Sequence, residues 1–256
     1  MVLAAFVCQW HVVGIRQDRA NDWVALGELA HIVGRRDDAR EAYERYLALE
    51  PDDAEVEQIL VSLRGDAPPP RAPDRCIQQL YSRFAAFYET NMRGDLDYQA
   101  PERIAEALAD ALGTQTGLDV LELGCGTGLA APTLRPYASR LTGIDLSPEM
   151  VEKAREGGQY DALEVAEITT WLARDQTTFD LVVACDTLIY FGDLGQVTVP
   201  VASRLRPGGR LVFTVERDPG ESFRLTDSGR YAHSALHIRE AAAAAGLHVE
   251  RLTEGL

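Results

Sequence analysis

The chain has 256 residues, enough for one large domain or two small ones. Its formal net charge of −15 argues against nucleic acid or an anionic membrane as its main partner, because both attract basic surfaces. The four cysteines are far apart and have no zinc-ligand spacing, so we expect no metal site and a reducing cytoplasm. The apolar N-terminal run is too short to span a bilayer and lacks the basic start of a signal peptide.

Residues 23–51 carry the spacing of a tetratricopeptide repeat, W-x2-L-G, then A-x3-F, then P. The matching positions are Trp23, Leu26, Gly27, Ala39, Tyr43 and Pro51. They predict two antiparallel helices, and residues 1–20 and 54–64 can supply flanking ones. Because one repeat cannot bury its own faces, this all-α domain, residues 1–64, either docks a protein partner or packs on the rest of the chain or on another subunit.

A proline-rich segment, residues 65–73, follows the repeat. Four prolines in nine residues favour an extended, semi-rigid linker, which we take as the domain boundary. The second domain then spans residues 74–256. It opens with a predicted helix, 74–92, whose aromatic face includes Tyr81 and Tyr88. Such a face is either plain core or a wall of a binding site.

The second domain is organised around a strand and a glycine loop. The run from Leu118 to Leu123 is apolar, as in a buried parallel strand, and Gly124, Gly126 and Gly128 follow it. The first glycine can take the positive φ of a tight turn, the second lets the backbone approach a ligand, and the third lets a new helix pack closely on the strand. The stretch predicts a pocket at the carboxyl end of the strand, lined by backbone N–H groups.

A second predicted strand, residues 141–145, ends in Asp145, whose carboxylate can accept hydrogen bonds from both hydroxyls of a ribose. The dinucleotide fingerprint GxGxxG is a weak signal by itself, and here the third glycine comes one residue early. Two other interpretations stay open at this point: a glycine-rich turn without a ligand, and an NAD site.

Two segments, Glu-Leu-Gly-Cys-Gly-Thr-Gly at residues 122–128 and Gly-Ile-Asp-Leu-Ser at residues 143–147, resemble the first two motifs of class I S-adenosylmethionine-dependent methyltransferases. Leu-Arg-Pro-Gly-Gly-Arg-Leu-Val-Phe at residues 205–213 is typical of the same family. Segments shared with a bacterial group of predicted methyltransferases that carry tetratricopeptide repeats are at residues 179–186, 189–194 and 228–234. The resemblance implies an α/β fold, with a Rossmann-like sheet that has helices on both faces and follows a small all-α domain.

The resemblance also implies S-adenosyl-L-methionine as cofactor and S-adenosyl-L-homocysteine as product. The implied cofactor-binding residues are Glu122, Gly124, Cys125, Gly126, Gly128, Asp145, Leu146, Met150, Glu167, Ile168 and Asp186. Glu167 would accept a hydrogen bond from the adenine amino group, or it is a solvated loop charge. The helix at 74–92 resembles lid helices of small-molecule methyltransferases, so Tyr81 or Tyr88 would line the site unless both are core.

The polar segment after the fifth strand lies where acceptor-binding loops occur. His233 is the candidate general base there, although a lone histidine is more often structural. Asp186 would lie beside the methionine end of the cofactor, and its second possible role is that of general base. Tyr190, Arg230 and Tyr231 are candidates for binding the acceptor, Arg230 especially if the acceptor is anionic.

The sequence lacks the motifs that are typical of enzymes for several classes of methyl acceptor. No Asn/Asp-Pro-Pro-aromatic motif follows the fourth strand, no Pro-Cys nucleophile is present for cytosine chemistry, and no acidic cluster suggests a magnesium-dependent catechol enzyme. We therefore expect methylation of a small molecule, on oxygen. Two alternatives stay open: a protein methyltransferase that recruits its substrate through the repeat, and a cofactor-binding interaction protein without turnover.

The remaining predicted elements of the second domain are helices at 102–112, 195–205 and 235–245 and strands at 163–166, 179–186, 211–216 and 247–252. The family's sheet ends with a seventh, antiparallel strand beside the fifth, whereas this sequence ends at Leu256, just after the predicted sixth. An open sheet edge would result. We expect a homodimer contact or a rearranged edge there.

Overall fold

The computed structural model describes residues 1–84 and 99–254. The chain divides into two compact units, which are Met1–Gln79 with Leu225–Arg230 and Leu80–Arg224 with Tyr231–Leu256. The domain boundary at residues 65–73 stays a prediction. Tyr88 lies outside the described residues.

The first unit is helical. Its elements are α1 (Val2–Ile15), α2 (Ala20–Ile32), α3 (Arg36–Leu49), α4 (Ala54–Arg64) and the first part of α5 (Asp74–Phe84). Helices α2 and α3 form the predicted repeat. Gly27 is required where they touch, because a Cβ there would lie 2.5 Å from Cε1 of Tyr43. Asp53 caps α4 by accepting the backbone N–H groups of Glu55 and Val56.

A short segment far along the chain, Leu225–Arg230, completes the first unit. Arg36 donates hydrogen bonds to both carboxylate oxygens of Asp227. Ser62 Oγ lies 2.7 Å from Asp227 Oδ1 and 3.1 Å from the Leu225 carbonyl oxygen. The helical unit therefore includes residues that the sequence analysis assigned to the second domain.

The second unit is built on a parallel five-stranded sheet of order β3-β2-β1-β4-β5. Its strands are β1 (Leu118–Leu123), β2 (Ala138–Asp145), β3 (Ala162–Val165), β4 (Phe179–Ala184) and β5 (Leu205–Phe213). Its helices are the end of α5, α6 (Ala100–Leu112), α7 (Ala131–Leu134), α8 (Pro148–Glu156), α9 (Ile168–Arg174), α10 (Gly195–Ala202) and α11 (Ala235–Ala244). The central strands β1 and β4 are almost completely buried, as apolar runs in a parallel sheet should be. The predicted α/β fold class is confirmed.

Two predictions about the end of the chain differ from the structure. β5 begins at Leu205 instead of residue 211, because Leu205 already pairs with Phe179 and the pairing resumes between Arg210 and Leu181 after a register shift. The sixth strand, predicted at 247–252, is wrong: these described residues form no ladder.

After β5 the chain enters a separate three-stranded sheet of order β6-β8-β7. Its strands are β6 (Glu216–Arg217), β7 (Phe223–Leu225) and β8 (Tyr231–His233). β5 is therefore the last strand of the five-stranded sheet, and the dimer contact expected at that edge stays a prediction. None of the helices in the described ranges is long and apolar enough to cross a membrane.

Candidate functional site

The glycine loop lies at the carboxyl end of β1, where the strand order reverses. β1 pairs with β2 on one side and β4 on the other, so that Glu122 lies opposite Gly143 and Val183. In open parallel sheets, the crevice outside the strand ends at this point is the usual place for a ligand.

Three glycines shape the loop, with φ angles of 67° at Gly124, 53° at Gly126 and 89° at Gly128. A Cβ at Gly124 would lie 2.4 Å from Oγ1 of Thr187. At Gly126, no described atom lies within 4 Å of a Cβ, which leaves the backbone open to a ligand. At Gly128 the nearest neighbour of a Cβ is a side chain, Tyr160, at 3.1 Å. The third glycine makes room for this ring, a role the sequence analysis assigned to helix packing.

Asp145 ends β2 and ties the loop to it. One carboxylate oxygen accepts the N–H of Gly126 at 2.9 Å, and the other accepts the N–H of Ser147 at 2.8 Å. Burial raises the pKa of this carboxyl, while hydrogen bonds from the backbone of Ser147, Gly126 and Leu146 lower it, and the rise is the larger effect. Because each carboxylate oxygen has two lone pairs, both can still accept a ligand hydroxyl.

Glu122 is the second acid of the crevice and is 1% exposed. Its Oε2 accepts a hydrogen bond of 2.7 Å from the hydroxyl of Tyr160. The pKa of Glu122 is raised to about 8. Burial raises it most, the hydrogen bond from Tyr160 lowers it, and the nearby Asp145 raises it. The carboxyl is therefore mostly protonated at neutral pH.

The crevice fits a ligand with hydroxyls and a positive charge. No cationic side chain of the described residues acts on the carboxyl groups of Glu122 or Asp145. The buried Oγ1 of Thr127 has no hydrogen-bond partner within the described part of the chain. Across that part, no group of three or more His, Cys, Asp or Glu side chains could hold a metal ion. A ribose and an ammonium group would give these polar atoms hydrogen-bond partners, which buried polar groups require.

Three other residues predicted near the cofactor lie in the loop after β1 or soon after the end of β2. Cys125 is buried, its N–H donates to the Ile144 carbonyl, and burial raises the pKa of its thiol well above the usual value. Leu146 follows Asp145 and is partly buried. Met150 is buried in the first turn of α8.

Glu167 and Ile168 begin α9 after β3. The Glu167 carboxylate accepts the backbone N–H groups of Thr169 and Thr170 and so caps the helix. Burial raises its pKa, but these hydrogen bonds lower it more. Ile168 is buried. The predicted adenine contact of Glu167 would have to share a carboxylate that already has a structural role.

Asp186 follows β4 in a conformation that few residues adopt. With φ at 51°, it is the one non-glycine residue at positive φ among the described residues. Its N–H donates to Oγ1 of Thr214 at 2.8 Å, which holds the backbone in place. Strain of this kind is common at functional sites.

Two tyrosines meet beyond Asp186. The hydroxyls of Tyr81 on α5 and Tyr190 are 2.8 Å apart, and their rings are edge to face with centroids 6.0 Å apart. Tyr190 is buried and Tyr81 is partly buried. The structure thus brings together a predicted cofactor contact and a predicted acceptor contact.

Tyr231 and His233 are enclosed in β8, at 0% and 1% exposure. The Tyr231 ring packs on Phe223, and His233 stacks on His237 with centroids 5.4 Å apart. Neither ring nitrogen of His233 has a hydrogen-bond partner in the described residues. Burial and the neighbouring His237 lower its pKa to about 4, and the backbone of Leu188 and Phe191 opposes this shift. The imidazole is neutral at pH 7.

Arg230 lies in the first compact unit, with the segment Leu225–Arg230. Its carbonyl oxygen accepts the N–H and the hydroxyl of Thr226, which closes a tight turn. The structure does not group this residue with the crevice residues of the second unit.

Sequence reasoning missed two side chains of the crevice, Tyr160 and Thr187. Thr187 Oγ1 lies within hydrogen-bond distance of the carbonyls of Gly124 and Cys185. Tyr160 has no motif around it. The sequence signal that could have pointed to these side chains is a set of glycines. A Cβ at Gly124 would meet Thr187, and a Cβ at Gly128 or Gly143 would meet Tyr160.

Comparison with protein families supports this geometry. Residues 121–213 match a family described as "Methyltransferase domain", and residues 20–63 match one described as "Tetratricopeptide repeat". The first match spans β1 to β5, which includes the glycine loop and both crevice acids. The second spans the predicted repeat and its flanking helix.

Curated relatives include "Nodulation protein S" of Rhizobium tropici, 32% identical over 46% of this chain and 51% of that protein. The "Malonyl-[acyl-carrier protein] O-methyltransferase" of Acetivibrio thermocellus is 30% identical over 55% of this chain and 49% of that protein. The chain spans about half the length of these relatives.

A solved structure of magnesium protoporphyrin IX methyltransferase from Synechocystis PCC 6803, with bound SAH, has the same fold. It is 19% identical, with a TM-score of 0.53, over 70% of this chain and 90% of that one. The chain thus resembles methyltransferases over residues 121–213, has the fold of a solved S-adenosylmethionine-dependent methyltransferase structure, and matches a tetratricopeptide repeat at residues 20–63.

Proposed function

We propose that this protein transfers a methyl group from S-adenosylmethionine to an oxygen atom of a small molecule. The observation that carries the proposal is the crevice at the ends of β1 and β2. There, a backbone open at Gly126 adjoins two acids, Glu122 and Asp145, on which no described cation acts. Relatives named as O-methyltransferases favour oxygen as the atom methylated.

Bound S-adenosylmethionine supplies a methyl group activated by its sulfonium, which a nucleophile can take from the side away from sulfur. The chain's own task is to bind and to orient. Asp145 accepts the ribose hydroxyls, the loop from Gly124 to Gly128 admits the amino-acid end, and Ile168 packs near the adenine. Orientation of this kind can lower a barrier by roughly 7–11 kcal/mol.

On the acceptor side, Tyr190 and Tyr231 are the proposed contacts, and Tyr81 lies against Tyr190. A phenol or alcohol acceptor requires a general base within hydrogen-bond reach. His233 is neutral and can accept a proton, but its enclosure favours a structural role. The partly exposed Asp186 is then the second candidate for the base.

Two other functions fit the same fold. The repeat could recruit a protein substrate, or the protein could bind the cofactor without turnover. The contacts of Arg36 and Ser62 with Asp227 favour a repeat that packs on its own chain over one that recruits. A fold alone does not decide between these functions.

The test is an incubation of the full chain with S-adenosylmethionine labelled in its methyl group and panels of phenols, alcohols, carboxylates, amines and peptides. We expect labelled product and S-adenosylhomocysteine from an oxygen acceptor. Label found only in peptides would support recruitment, and label found only in amines would overturn the choice of oxygen. Binding without transfer to any acceptor would support the interaction protein.

A further inference from the structure

A tyrosine outside every sequence motif lies between the glycine loop and the sheet. A Cβ at Gly143 of β2 would lie 2.8 Å from Cε1 of Tyr160, and one at Gly128 of the loop would lie 3.1 Å from Cε2. The ring therefore fills the space between these two backbones. A larger residue at either glycine would have to displace it.

The backbone next to this ring is fixed to β2. The N–H of Asp161 donates to the Leu141 carbonyl at 2.9 Å, and the Asp161 carboxylate accepts the Leu141 N–H at 2.7 Å. Arg135 also donates to that carboxylate, at 2.7 Å. Tyr160 thus projects from an anchored position, which suits a side chain that must set a distance.

The hydroxyl of Tyr160 holds the most deeply buried acid of the crevice. It donates to Oε2 of Glu122 at 2.7 Å. The groups that act on this carboxyl are Tyr160 and Asp145, and those that act on Tyr160 add the thiol of Cys125. With no cation of the described residues acting on Glu122, its charge and orientation depend on this one O–H and on what enters the crevice.

We propose that Tyr160 is a positioning residue for the cofactor: its ring sets the height of the glycine loop, and its hydroxyl orients the Glu122 carboxyl toward the positive amino-acid end of S-adenosylmethionine. The inference rests on the proposed function. It goes further because it assigns the placement of the cofactor to Tyr160, whose ring lies between the glycine loop and β2.

Binding of a positive ligand is coupled to the protonation of Glu122. A positive ligand favours the ionised form of Glu122, so binding is accompanied by release of a proton wherever Glu122 is protonated in the free protein. Affinity for S-adenosylmethionine should then increase as the pH rises toward 8. Without the Tyr160 hydroxyl, ionisation of Glu122 is harder and the rise moves to higher pH.

The experiment is calorimetric titration of the full chain and of Tyr160→Phe with S-adenosylmethionine and S-adenosylhomocysteine, from pH 6 to pH 9. We expect the variant to bind S-adenosylmethionine about 10-fold more weakly at pH 7.5, as for loss of one hydrogen bond to a charged group. Its pH profile should move upward. Tyr137→Phe is the matched control, because Tyr137 is a partly buried tyrosine that packs on the core of the same unit, and it should bind as the wild type does.

A Tyr160→Phe protein with the affinity and pH profile of the wild type would overturn the inference and leave the proposed function standing. Thermal unfolding of each variant shows whether it is folded. If Tyr160→Phe does not fold, Glu122→Gln gives the second test, because an amide cannot ionise and its affinity profile should be flat up to pH 9. A wild-type chain that binds neither compound would contradict the proposed function, and the inference with it.

Discussion

The proposed cofactor side and the proposed acceptor side of the second unit use their polar groups in opposite ways. At the ends of β1 and β2, Asp145 and the Gly126 N–H bind each other and keep lone pairs for a ligand. After β5, Tyr231 and His233 are enclosed by other side chains. The first arrangement is made by backbone groups and an acid at two strand ends, and the second by aromatic side chains that pack on one another. The proposed cofactor side therefore keeps acceptors for a ligand, whereas the proposed acceptor side is enclosed by its own side chains.

Substitution of Gly124 by alanine should break the cofactor side most severely. The residue has a φ of 67°, and a Cβ would lie 2.4 Å from Thr187. We expect a loss of about 2–4 kcal/mol in the free energy of unfolding, measured by urea denaturation. Gly65→Ala is the control, since Gly65 has a similar φ of 73° but no described atom within 4 Å of a Cβ. Equal losses in the two variants would mean that Thr187 does not crowd the loop.

Replacement of Glu122 by glutamine should change the pH dependence of stability. Glu122 has a pKa of about 8 in the folded chain and an ordinary value of 4.5 when unfolded. Between these values the folded state binds more protons, so the free energy of unfolding falls as the pH rises. Urea denaturation from pH 5 to pH 9 should show a shallower fall in Glu122→Gln. Parallel curves for the two proteins would show that the carboxyl is not desolvated.

A smaller effect of opposite sign is expected on the acceptor side. Burial lowers the pKa of His233 from 6.5 to about 4, so the unfolded state binds more protons in that interval. Stability is then lost as the pH falls from about 6.5 to 4, and His233→Gln should lose less. Substitution of the exposed His248 should leave the acid side of the profile unchanged. If His233→Gln retains the full acid loss, the ring is not enclosed as described.

The smallest effect is expected in the helical unit, where Arg36 pairs with Asp227. The two side chains are 53% and 27% exposed, so a double-mutant cycle of Arg36→Ala and Asp227→Ala should give a coupling of up to about 1 kcal/mol. Denaturation of the full chain measures it. Coupling of zero would mean that this ion pair does not fix Leu225–Arg230 to the helices.

Separation along the chain explains which residues of the site could be predicted from the sequence. Gly124, Gly126 and Asp145 were found because a strand, a turn and an acid lie in one short stretch. Tyr160 and Thr187 could not be found, since they meet their partners from 38 and 63 residues away. The fold class, which the resemblance to the methyltransferase family implied, was predicted correctly.

Errors arose where a local pattern lacked a tertiary partner. Residues 247–250 alternate apolar and polar side chains, but a strand also requires a neighbouring backbone to pair with. In the structure this segment is joined to β5 by an ion pair between Arg210 and Glu250. The alternation gave no information about the ladder.

The central claim is that the crevice at the carboxyl ends of β1 and β2 binds an adenosyl amino acid through its sugar and its amino-acid end. Calorimetric titration of the full chain with S-adenosylhomocysteine tests it most directly, with Asp145→Ala beside it and the exposed Asp37→Ala as control. We expect one site per chain, an affinity about 100-fold lower in Asp145→Ala, and no change in the control. No uptake by the folded wild-type chain, or equal affinity in all three proteins, would contradict the claim.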